Sequence, residues 1–134
     1  MSASFEATFP STPPGVGSIR REIAAFAQRC GMSPEGVDAV RLAVSEAATN
    51  AVIHAYRDSH GDLSVRADVE NGELVVVVAD RGIGLVPRGD SPGLGLGMPL
   101  MASVTSRFRV VSRGAGTEVH MAFPLTDGSG GARA

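Results

Sequence analysis

Glu46, Asn50 and His54 recur at i, i+4 and i+8. On a helix that spacing lines three polar groups along one face. An Asn side-chain oxygen is a hard, neutral ligand suited to Mg²⁺, an ion that keeps several waters and bridges protein to substrate phosphates. A carboxylate one turn away can take a proton from an attacking hydroxyl or water. The same stripe is also what a solvated helix face looks like, so its meaning depends on its company.

That company begins with Asp80-Arg81-Gly82-Ile83-Gly84, placed directly after the apolar run 74–79. A carboxylate at a strand end can accept a hydrogen bond from an exocyclic amine, while Gly82 and Gly84 let the backbone approach a flat ring closely. Taken alone, the segment also reads as a glycine turn. Next, Gly93-Leu94-Gly95-Leu96-Gly97 leads into a helix expected from Met98. Converging backbone N–H groups and a helix start suit phosphate oxygens. A dinucleotide-binding reading needs a preceding strand and a βαβ unit, and neither is found here. The segment therefore reads as a nucleotide lid, or more blandly as a mobile loop. Gly116-Thr117 opens the last strand, where a hydroxyl can join a base-binding network directly or through water.

The elements that must position these groups follow from periodicity and punctuation. Residues 4–9 alternate as a strand, and Thr12-Pro13 supplies a cap with proline at the first helical position. The first helix is expected over 13–29, with Val16, Ile19, Ile23, Ala24, Phe26 and Ala27 on one apolar face and Gly31 ending it. Ser33-Pro34 repeats the signal and opens a longer helix to about Tyr56, whose alanine-rich stripe implies close packing on a sheet. Residues 63–69 and 73–79 form a hairpin about Asn71-Gly72. A short helix is expected from Met98 to about Ser106, and a second hairpin joins 108–112 to 117–123. The fold class is α+β: a two-layer sandwich of a mainly antiparallel mixed sheet with helices on one face.

Composition narrows the function classes. The chain has 134 residues and is 43% hydrophobic, enough for one domain with one core. We place that domain at 1–125 and read 126–134 as a flexible tail. Twelve basic and 14 acidic residues are dispersed, giving a net charge of −2 with no basic stripe, which argues against nucleic acid. Cys30 has no second cysteine for a disulfide and reads as a partly buried free thiol. The start has neither a basic nor an apolar export region, and no run is long enough to span a membrane, so a cytoplasmic location is expected.

With four elements in this order, the chain resembles the GHKL (histidine kinase-like) ATPase superfamily. Its N box and three glycine boxes match EAATNAVIH, DRGIG, GLGLGMPLM and GTEV over roughly residues 40–122. Within that superfamily the chain is similar to bacterial anti-sigma-factor serine/threonine kinases, which the small size and the helix SIRREIAAFAQRCGM also fit. The resemblance implies a Bergerat-type ATP-binding fold, ATP and Mg²⁺ as ligands, Glu46 as catalytic base and Asn50 as the Mg²⁺ ligand. It further implies Asp80 as adenine anchor and Thr117 beside the base, with Gly82, Gly84, Gly93, Leu94, Gly95, Leu96 and Gly97 around the nucleotide. The implied partners are a sigma factor and a small antagonist protein, with homodimer formation; Arg20 and Arg21 on the first helix are candidate partner contacts, or simply solvent-facing charges. His54 falls within the N box and is read as a packing or hydrogen-bonding residue rather than a phosphate acceptor. The proline-punctuated lid between Pro87 and Pro92 departs from the anti-sigma pattern. Two rival readings stay open: an ATP-binding sequestration module without transfer, and an isolated catalytic domain of a histidine-kinase system.

Overall fold

The structure, a computed structural model, describes residues 3–54, 61–80, 104–113 and 116–125. Strand β1 (Ser4–Pro10) leads into helix α1 (Pro13–Arg29) and helix α2 (Pro34–His54). Strands β2 (Asp62–Glu70), β3 (Glu73–Asp80), β4 (Arg107–Arg113) and β5 (Gly116–Pro124) follow. The sheet order is β1-β2-β3-β5-β4, and every pairing is antiparallel. The mixed pairing allowed for in the expected class is thus not found among the described strands.

Local chemistry explains where the helices stop. Thr12 Oγ1 accepts from Gly15 N at 3.1 Å, and Pro13 and Pro14 fill the first positions, where a missing N–H costs nothing. At the other end Gly31 takes φ +87°, its N–H bonds Gln28 O, and Met32 N reaches back to Ala27 O at 3.2 Å. This is a Schellman closure, and it seats Met32 in the core. Ser33 caps α2 through Gly36 N at 3.1 Å. The β2–β3 turn has φ of 50° at Asn71 and 77° at Gly72, the two positive values that a tight type I′ hairpin demands.

The helices cover one sheet face. Leu63, Val65, Ala67, Leu74, Val76, Val78, Met121 and Phe123 point into a single core against Ile19, Ile23, Val40 and Val44. Helix α2 packs on β3 and β5, whereas α1 packs on α2 and β1. The buried alanines 43, 47, 48 and 51 let the α2 backbone lie close to its neighbours. The lid, the expected short helix up to 103, and the tail from 126 lie outside the described residues. That helix does not reach Ser106: Val104 to Ser106 are non-helical, and Ser106 N already bonds Ala122 O at 2.8 Å. Among the described residues, no helix is long and apolar enough to cross a membrane.

Candidate functional site

Helix α2 carries the first two candidate groups. Glu46 and Asn50 are both half-buried, on the shoulder between the buried alanine stripe and the exposed residues Leu42, Thr49 and Ile53. At 100° per residue, four positions turn Asn50 about 40° further toward the buried side than Glu46. The difference shows in the side chains. Asn50 Nδ2 is buried and has no hydrogen-bond partner among the described residues. A buried amide donor left unpaired costs roughly 1–3 kcal/mol, so a polar ligand at that position would satisfy a group the fold leaves open.

The other two groups sit at the end of the central strands. Asp80 is the last residue of β3 and lies directly opposite Thr117 of β5, with Leu63 of β2 on its other side. Strand alternation puts Asp80 on the same face as Leu74, Val76 and Val78, the face covered by the helices. Gly116, beside Thr117, is buried and places no Cβ at this corner. The spacing in sequence between Asp80 and Thr117 gave no hint of this register. Gly82, Gly84, Gly93, Leu94, Gly95, Leu96 and Gly97 lie outside the described residues, as does the side chain of His54.

Arg20 and Arg21 are exposed on α1 and differ in their contacts. Arg21 Nη2 donates to Ser18 Oγ at 3.2 Å on its own helix. Arg20 Nε crosses to α2 and donates to Ser45 Oγ at 3.0 Å. Sequence reasoning missed Ser45, whose only signal was its place beside Glu46. The sheet's other face holds a groove of about 610 Å³ lined by Arg66, Asp68, Val77, Arg109 and His120, separated from the α2 groups by the sheet. There His120 Nε2–H donates to Glu118 Oε1 at 2.8 Å. At that face's edge Arg107 and Ser106 both bond Glu73, and these bonds hold its carboxyl below the ordinary glutamate range. Burial pushes the Cys30 thiol up, opposed by the Arg29 charge.

The histidine kinase-like ATPase domain pattern matches residues 9–123. The chain belongs to the histidine kinase-like ATPase family. It is 35% identical over 114 residues to the anti-sigma F factor of Clostridium acetobutylicum, an alignment covering 76% of this chain and 80% of that one. It is 42% identical over 78 residues to the serine-protein kinase RsbW of Bacillus subtilis, covering 58% of this chain but only 49% of the kinase. A crystal structure of the RsbU and RsbW domains of Rv1364c from Mycobacterium tuberculosis superposes with a TM-score of 0.73 over 92% of this chain and 32% of that chain, at 19% identity, which establishes the shared fold. Members of this family use ATP, and the α+β sandwich is the scaffold they share.

Proposed function

We propose that the chain is an anti-sigma-factor serine/threonine kinase that binds ATP between α2 and the Asp80–Thr117 corner. It transfers the γ-phosphoryl group to a hydroxyl of a small antagonist protein, and it holds a sigma factor when the antagonist is absent or already phosphorylated. The observation that carries the site is the buried Asn50 Nδ2, without a hydrogen-bond partner among the described residues, one turn from Glu46. The similarities to an anti-sigma F factor and a serine-protein kinase support a hydroxyl of a regulatory protein as the acceptor.

In this reading Asp80 accepts a hydrogen bond from the adenine amine, with Thr117 beside it. The glycine segments at 82–84 and 93–97 approach the ring and the phosphates. A carboxamide suits a cation that arrives with the nucleotide, since its oxygen can ligate while its Nδ2 donates to a phosphate oxygen. Mg²⁺, held by Asn50 and the phosphates, would supply charge neutralisation on the transferring group. Glu46 takes the proton of the acceptor hydroxyl as its oxygen bonds to the γ-phosphorus and the bond to the β-phosphate oxygen breaks, leaving ADP. Arg20 and Arg21 are the proposed partner contacts on α1.

Labelled ATP incubated with the chain and a panel of small antagonist proteins from the same genome tests this directly. Phosphoserine or phosphothreonine on one antagonist is the expected product. Acid-labile label on histidine, or hydroxylamine-labile label on aspartate, would point to the histidine-kinase alternative, and tight antagonist or sigma binding with no label would reduce the chain to a sequestration module.

A further inference from the structure

We propose that Ser45 is a positioning residue for partner recognition, holding the Arg20 guanidinium so that its two terminal nitrogens form an outward fork for a carboxylate of the docking protein. The inference rests on the kinase reading for its partner, and on the α1–α2 contact for its geometry. Arg20 Nε donates to Ser45 Oγ at 3.0 Å, while the Ser45 hydroxyl donates its own hydrogen to Arg41 O, one turn earlier, at 2.6 Å. The serine proton is thereby committed, and a lone pair faces α1. A guanidinium is planar, so fixing its Nε–H fixes the plane in which the terminal nitrogens lie. Those nitrogens are on an exposed side chain, and none of the ion pairs among the described residues uses them.

The neighbouring arginines lack this arrangement. Arg41 is paired with Asp38 at 3.0 Å on its own helix, and Arg21 leans back on Ser18. Arg20 alone of the three joins the two helices through a neutral group, which orients its charge without cancelling it. Ser45 directly precedes Glu46 but points about 100° round the helix from it, so a carboxylate gripped by Arg20 would be held on the α1 side of the helix that carries the proposed base. Pre-organisation of this kind acts on binding rather than on chemistry.

The test uses the full chain and the antagonist that wild type phosphorylates. Ser45→Ala should raise KM for the antagonist roughly three- to tenfold, the worth of one hydrogen bond, with kcat and ATP affinity unchanged. Ser45→Thr, which keeps the hydroxyl, should restore it. In an Arg20→Ala background, Ser45→Ala should cost nothing further. Equal losses with and without Arg20, or a fall in kcat at constant KM, would overturn the assignment. If wild type phosphorylates no antagonist, the kinase reading falls, and the geometry is still decided by NMR of the arginine Nε–H groups. The Arg20 signal should exchange slowly in wild type and faster in Ser45→Ala; equal exchange in the two proteins would refute the positioning role.

Discussion

Glu46 and Asn50 differ by one turn of helix and by one chemical property, which makes their substitutions informative. Glu46→Gln keeps the volume and removes the proton acceptor, so ATP binding should persist while transfer falls by roughly 10². A variant that transfers as fast as wild type would remove Glu46 from the mechanism. Asn50→Ala deletes a buried amide whose Nδ2 has no protein partner among the described residues, so the folded state loses little and the nucleotide loses its contact. Mg²⁺-dependent ATP affinity and transfer should fall together, with Tm of the nucleotide-free protein nearly unchanged. Asp80→Asn keeps the side-chain volume and changes the acceptor pattern at the strand end. Scanning calorimetry should find that it abolishes most of the Tm increase that ATP with Mg²⁺ gives wild type; an undiminished increase would place the base elsewhere.

At the scale of elements, the first helix was readable at both ends because each end is marked by residues with local causes: Thr12-Pro13 at the start, Gly31 at the finish. The hairpin at Asn71-Gly72 was equally legible, since two positive φ values leave few residue choices. Contacts that arise only when elements meet could not be read. The Asp80–Thr117 pairing depends on β5 docking against β3, and the Arg20–Ser45 bond depends on how α1 lies on α2. The helix expected to run to about Ser106 stops short for the same reason, because Ser106 is already drawn to β5. Packing also reverses a local rule at α1. Alanine usually stabilises a helix over glycine by up to about 1 kcal/mol, and Gly17→Ala should do so, its new Cβ meeting only Arg21 Nη1 at 3.5 Å. At Gly15 the same methyl would fall on the Pro10 carbonyl oxygen, a backbone atom that cannot swing aside. Gly15→Ala should therefore destabilise by about 2 kcal/mol, read as a drop in urea midpoint at constant slope. Equal effects at the two sites would contradict the tight β1–α1 corner.

At the scale of the whole molecule, the Glu73 carboxyl is held low by Arg107 and then by Ser106. A carboxyl depressed in the folded state stabilises above its ordinary value of 4.5, and that contribution disappears as the pH falls through this value and then through the lower folded one. Arg107 is largely exposed, so screening limits the gain to no more than about 1 kcal/mol. Glu73→Gln should lower Tm slightly near neutrality and leave it closer to wild type in acid; a difference independent of pH would exclude the ion pair as its source. The pair also bears on how copies of the chain avoid one another. A sheet of order β1-β2-β3-β5-β4 is open, and its outer strands are β1 and β4. Arg107 and Arg109 stand on β4, while β1 carries Glu6 and ends in Pro10, which has no N–H to offer. A foreign strand aligning on either border would have to desolvate charge or forgo a ladder bond. Charge on one border and a missing donor on the other thus guard the fold against strand-by-strand growth into amyloid-like fibres.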